Sequence, residues 1–191
     1  FICERAVMIT KIRMIAPNWT IEKDYERHVI DGVEIEFQLT PQTEAPSEMH
    51  CYFPGLRALN LAENATHNLH NLCPLRGAQV RDSLGWSTYL HHALQRWGDK
   101  SDVVFAQHHW PTWGSEKVKQ FLSEQRDLYR YLHDQTVRLM SHGLKASEIA
   151  EVLLLPQSLG QRWHVRGYYG TVSHNVKAIY QRYLSWYDAN P

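Results

Sequence analysis

The chain has 191 residues, with 20 Lys and Arg balanced by 20 Asp and Glu, and 43% of it is hydrophobic, enough for one good core or for one large and one small domain. That balance provides no net field for nucleic acid or an anionic membrane surface, and no apolar run is long enough to span a bilayer. The surplus lies in 12 His and 7 Trp, and histidine suits metal or acid–base work as well as ordinary surfaces.

Cys3, Cys51 and Cys73 are odd in number and widely spaced, with no CxxC, which argues against a disulfide framework or a thiolate zinc site and for buried free thiols. The chain opens at Phe1 with no initiator Met and closes at Asn190-Pro191, and is read as a piece of something longer. Asn18-Trp19-Thr20 and Asn64-Ala65-Thr66 match the glycosylation sequon, a pattern common by chance.

In chain order, Ile30-Asp31-Gly32 reads as a turn and the alternation through Leu39 as a half-buried strand. Met49–Phe53 and Arg57–Leu61 flank the turn dipeptide Pro54-Gly55, predicting a strand pair. The segment from Ala62 to Gly77 holds a carboxylate, two histidines, three asparagines and an arginine beside few apolar residues. It predicts a helix from near Asn64, with Glu63 available as its cap and His67 and His70 on one face. Acid, imidazole, amide and guanidinium together suit a metal-activated water acting on an anionic ester.

Residues 83–97 carry Leu84, Trp86, Tyr89, Leu90, Ala93, Leu94 and Trp97 close to helical spacing, with Gly98 as a stop. Val103–Ala106 reads as a short buried strand delivering His108 and His109 at its C-terminal end, where ligands gather in layered α/β folds. After Gly114 the texture becomes all-helical. Helices are predicted over 116–142 with Gly143 as a stop, over Ala146 to Leu155 ended by Pro156, and from about Val172 to Tyr187.

Four motifs in order carry a family resemblance: Thr40–Met49 (TPQTEAPSEM), Ala62–His67 (AENATH), His108–Gly114 (HHWPTWG) and Arg166–Asn175 (RGYYGTVSHN). Together they closely resemble the alkyl sulfatases, the linear primary-alkylsulfatase branch of the metallo-β-lactamase superfamily that hydrolyses dodecyl sulfate. The resemblance runs from roughly Ile15 to the end, and residues 1–14 fit it poorly. It implies an α+β fold: the C-terminal part of a metallo-β-lactamase αββα sandwich over 1–114, then part of an all-α dimerisation domain over 115–191. The His-x-His-x-Asp-His motif, which in the family supplies four ligands of a two-zinc site, does not occur in this sequence.

The resemblance assigns Glu44, Glu63 and His108 as zinc ligands and Asn71, Arg76, Arg81 and Tyr169 as the sulfate cradle; His67 and His109 are read from their own positions as candidates to support the metal ligands. Read without it, Glu44 is a solvated loop acid, Arg81 a partner of Asp82, Arg76 another structural ion-pair arginine, Tyr169 an interface aromatic, and His109 a ring packed on Trp110. The implied function is zinc-dependent hydrolysis of linear primary alkyl sulfates to alcohol and sulfate by a homodimer that is not an integral membrane protein and binds no nucleic acid. Many relatives are periplasmic or secreted. The alternatives are another metallo-β-lactamase-type hydrolase, or an inactive chain that only dimerises or binds amphiphiles; without HxHxDH, the chain by itself is expected to be inactive.

Overall fold

The structure is a computed structural model that describes residues 16–187; Cys3 and the divergent residues 1–14 lie outside that range. Six strands form one sheet in sequence order: β1 (Arg27–Ile30), β2 (Val33–Leu39), β3 (Met49–Phe53), β4 (Ala58–Asn60), β5 (Val103–Phe105) and β6 (Thr112–Trp113). All neighbours are antiparallel except β4 and β5. The turn at Asp31-Gly32 and the strand to Leu39 form as predicted. Its partner β1 is an addition that the sequence reading did not include, because three of its four residues are exposed and leave little periodicity.

Register decides where the site lies. Leu39 pairs with Met49, Cys51 with Asn60, and Asn60 with Phe105. The loop 40–48 and the segments following β4 and β5 therefore leave the sheet at one end. Two further bonds, Leu61 N–H to the Phe105 carbonyl (3.0 Å) and Gln107 N–H to the Ala62 carbonyl (2.9 Å), carry the parallel pairing past the strand ends. They bring Glu63 and His108 side by side.

Helix α1 (Ser83–Trp97) is capped by Asp82, which accepts from the Gly85 N–H at 3.0 Å. It buries Trp86, Leu90, Ala93 and Trp97 completely, at the spacing of one helical face. Trp97 stacks on Tyr52 and donates its indole N–H to the buried Glu36 carboxylate at 3.0 Å. Helix α2 (Ser115–Ser141) then packs on α1, with Tyr129 stacked on Trp86 at 4.8 Å. It ends at Gly143, whose φ of +86° suits a residue without Cβ.

Two short helices, α3 (Ala146–Val152) and α4 (Gln157–Gly160), precede α5 (Val172–Leu184), which is capped by Thr171. Helix α3 stops three residues before the predicted Leu155. Leu153 already has extended backbone, and Pro156 disfavours helical geometry just before it. Helix α5 also stops short of Tyr187, at Ser185 with φ of +66°. Its predicted stripe buries Val176 and Ile179 but leaves Tyr183 and Tyr187 exposed. The change of texture at Gly114 is not a break in packing. One apolar cluster runs from Tyr52 and Leu59 through Trp86 and Leu122 to Ile149 and Val176.

Residues 62–82 form no helix. Leu61, Ala65, Leu69 and Leu72 are buried at near-helical spacing, but their backbone groups bond to distant segments instead of to each other. Leu69 N–H donates to the Arg166 carbonyl, Gly170 N–H to that of Leu69, and Asn175 pairs its amide with the His70 carbonyl and Leu72 N–H. A Cβ on Gly170 would lie 2.7 Å from the His70 carbonyl and the Asn71 nitrogen. Gly170→Ala is therefore expected to cost about 1–3 kcal/mol through overpacking against backbone. That corresponds to a drop of about 2–4 °C in melting temperature per kcal/mol, read by thermal denaturation; an unchanged midpoint would show that the approach is not tight.

Candidate active site

The three segments from the sheet end, joined by Tyr169, enclose a cleft of about 400 Å³ lined by Glu44, Glu63, His70, Arg76, His108 and His109 among others. Both loops that carry Glu63 and the histidines include a non-glycine residue at positive φ, Ala62 at +49° and His109 at +70°. Such backbone strain is held only where surrounding contacts enforce it.

Glu63 is the centre of one cluster. Its Oε1 lies 2.5 Å from His108 Nδ1 and its Oε2 2.9 Å from His70 Nε2. His70 is buried, its Nδ1 lies 2.9 Å from the Asn71 carbonyl, and its backbone N–H donates to the Tyr129 hydroxyl at 3.2 Å. Burial pushes the His70 imidazole below its ordinary pKa, with the nearby Arg81 charge acting in the same direction. The Tyr169 ring stands edge-on to His70 at 4.9 Å.

Glu44 is the centre of the second cluster. Its Oε1 accepts from Arg81 Nη2 at 2.7 Å and from Arg76 Nη2 at 3.3 Å. Arg81 is 2% exposed and spends its other donors on the Glu44 carbonyl and on both oxygens of Asn71. Arg81 and Asn71 thus lie beneath the cleft wall, whereas Arg76, 66% exposed, and Tyr169 face the cleft. Arg81 pairs with Glu44 rather than with Asp82. The Asp82 carboxylate caps α1 and meets Arg182 of α5 at 3.1 Å.

His67 and His109 part company. The His109 ring stays at the cleft and accepts from the His67 backbone N–H at 3.2 Å. The His67 ring is stacked between Trp110 (4.7 Å) and Phe121 (4.9 Å), away from Glu63. The structure also draws in residues to which the sequence reading gave no role. Glu48 is buried behind Glu44 and Glu63, and burial pushes its carboxyl up to about 7. His50 is fully buried, with Nε2 2.9 Å from Asn64 Oδ1, and burial pushes its pKa down to about 4. Glu48 lies inside the Thr40–Met49 motif, so the signal for it was present, but an acid one residue from a strand gives no sign of burial.

The donor types at Glu44, Glu63 and His108 suit zinc, since carboxylate oxygen and imidazole nitrogen are both good ligands. The three line one cleft, with Glu63 against His108 and Glu44 against Arg81. Among the described residues, no group of three or more His, Cys, Asp or Glu side chains could hold a metal ion. They fit zinc as part of a ligand set, not as a complete one.

Residues 145–191 match the family model for alkyl sulfatase dimerisation. The chain is 53% identical over 180 residues to an alkyl/aryl-sulfatase of Saccharomyces cerevisiae, covering 94% of this chain and 28% of that protein. An (R)-specific secondary-alkylsulfatase of a Pseudomonas species is 50% identical over 93% of this chain and 27% of its own length. A linear primary-alkylsulfatase from the same genus is 49% identical over 94% and 27%. The solved stereoselective inverting sec-alkylsulfatase from Pseudomonas superposes with a TM-score of 0.90 at 49% identity, over 93% of this chain and 28% of that one. A metallo-β-lactamase family protein of Thermus thermophilus shares the fold at a TM-score of 0.52 and 17% identity, over 87% of this chain and 50% of that one. The chain thus spans a little over a quarter of the length of these sulfatase relatives.

The packing of His67 has a measurable consequence. Burial, followed by the neighbouring His164 and His109, pushes its pKa below the ordinary 6.5. With the folded value depressed, its contribution to stability is complete above 6.5 and is lost as pH falls through the folded value. His67→Phe, which keeps the stack, is expected to flatten the loss of stability as pH falls below the ordinary histidine value in urea titrations. An unchanged pH slope would mean that His67 does not titrate with folding.

Proposed function

We propose that the protein this chain forms part of hydrolyses alkyl sulfate esters to an alcohol and sulfate, with zinc as cofactor, as its likeness to the alkyl sulfatases supports. The observation that carries the reading is the meeting of Glu44, Glu63, His108 and the exposed Arg76 in one cleft, in a chain 49–53% identical to named alkylsulfatases. Linear primary esters such as dodecyl sulfate are the substrates proposed. A secondary alkyl ester is the second reading, favoured by the 50% identity to a secondary-alkylsulfatase.

Glu44, Glu63 and His108 would contribute part of the ligand set for zinc, which when bound supplies an activated water near neutral pH. The remaining roles belong to this chain. Arg76 reaches into the cleft on one 3.3 Å bond to Glu44, leaving its planar fork for two sulfate oxygens. Arg81 and Asn71 brace Glu44 and the 69–72 turn from beneath, and Tyr169 closes the cleft above His70. The half-exposed ring of Tyr169 offers an apolar edge of the cleft for an alkyl tail.

The helical region, with Trp186 and Tyr187 exposed, is proposed to pair two copies, as the description of its family model states for that family. Among the described residues no helix is long and apolar enough to cross a membrane.

In the protein that carries this chain, Glu63→Ala is expected to lower dodecyl sulfate turnover and zinc content more than any single change outside the metal ligands, since it touches both His70 and His108. Turnover measured with elemental analysis decides this; near-normal zinc and rate would remove Glu63 from the site. An active, zinc-free parent protein would count against the cofactor.

Arg76→Lys is expected to raise KM and lower kcat for dodecyl sulfate, because an ammonium cannot make the paired bonds of a guanidinium. Kinetics that stay within about twofold of the parent would take the sulfate from Arg76. Sulfate release from neither primary nor secondary esters would favour the chain as a dimerising or amphiphile-binding module.

A further inference from the structure

We infer that Glu48 is the positioning residue of the cleft: its single buried carboxylate ties the Glu44 loop to the Glu63 segment and sets the separation of the two glutamates. The inference rests on the proposal that Glu44 and Glu63 both serve zinc.

Glu48 is the last residue before β3, and its side chain is 8% exposed. Its Oε2 accepts the N–H of Ala45, the residue after Glu44, at 3.1 Å. Its Oε1 accepts the N–H of Glu63 itself at 3.2 Å and also the side-chain amide of Asn64. The backbone of Glu48 closes the same loop, accepting from Thr40 N–H at 2.9 Å and donating to the Ala45 carbonyl at 3.3 Å.

Behind the staple the support is rigid. Asn64 is fully buried, its side chain meets His50 on β3, and its carbonyl accepts the Trp86 indole N–H of α1 at 2.7 Å. Both glutamate-bearing segments are thereby referred to the sheet and to α1 through one side chain.

The chemistry of the position is specific. Three N–H groups converge on Glu48, and a carboxyl group offers an acceptor oxygen to each of the two loops at once. Placing that group beside Glu44 and Glu63 is electrostatically unfavourable, since like charges in a poorly solvated place repel. Packing alone does not call for an acid there; holding two loops at a fixed spacing does.

Two substitutions separate position from charge. Glu48→Gln turns an NH2 group towards either the Ala45 or the Glu63 N–H, so one loop is released. Glu48→Asp keeps the charge and both acceptors but is one methylene shorter, by about 1.5 Å, and cannot reach both loops.

Amide hydrogen exchange at Ala45 and Glu63 is read by NMR in the 191-residue chain, and zinc affinity by competition with a chromophoric chelator in the protein that carries this chain. Both variants are expected to exchange at least about tenfold faster at one of the two amides. Both should bind zinc about 10–100-fold more weakly, as is typical when a group that orients a ligand is lost, with melting temperatures near that of the parent. Should Glu48→Gln fail to fold, Glu48→Asp carries the comparison. Zinc affinity in Glu48→Asp equal to the parent would make Glu48 a charge and not a staple, and unchanged exchange at both amides would overturn the inference outright. A parent protein that takes up no zinc would count against the cofactor reading alone; faster exchange in the variants would still uphold the staple, and unchanged exchange would still overturn it.

Discussion

A buried guanidinium holds this site together. Arg81 is almost without solvent, and a charge in that position is tolerable only when its donors are paired. Its partners are the carboxylate and carbonyl of Glu44 on one side and the two oxygens of Asn71 on the other. One cation therefore joins the loop between β2 and β3 to the irregular segment after β4. Removing it would take the buried donor from Glu44 and from both Asn71 oxygens, and the cleft wall would lose its common support.

The irregular segment is the second dependence. A backbone of about twenty residues without helix or strand is uncommon inside a compact unit, and it persists here because its polar groups are met from elsewhere. Arg166, Gly170 and Asn175 from the helical region, with Gln125 and Tyr129 from α2, bond to the stretch from Thr66 to Leu72. The helices after Gly114 are thus part of the wall of the cleft. The stretch that matches the dimerisation family supplies both Tyr169 and the amide of Asn175, which couples the proposed pairing surface to the proposed site by direct contact.

Much of the architecture was legible in the amino-acid order. Local periodicity pointed to the strand ending at Leu39, the pair around Pro54-Gly55 and the helices over 83–97 and 116–142, because each buries one face and is bounded by its own turn residues. Periodicity misled where the apolar spacing was right and the backbone was not. Leu61, Ala65, Leu69 and Leu72 are anchored like a helix face, yet Asn60 bonds locally to the Ala62 N–H and the Leu69 and Leu72 donors look outward. A helix requires that backbone groups pair with each other, and spacing of side chains does not report on that.

The resemblance carried by four motifs in order, and not residue chemistry alone, brought Glu44, Glu63, His108 and Arg76 forward as members of one site. Which of the nominated residues face the cleft was decided by tertiary structure. Arg76 and Arg81 are the same side chain five residues apart; one is exposed and the other is sealed between Glu44 and Asn71. His67 and His109 look interchangeable in sequence, and packing sends one ring between Trp110 and Phe121 while the other stays at the cleft. Glu48 became visible only when strand register brought residue 48 beside residue 63. The order of residues determines what each side chain can do, whereas burial and partners, which depend on segments far apart in the chain, decide what it is left free to do.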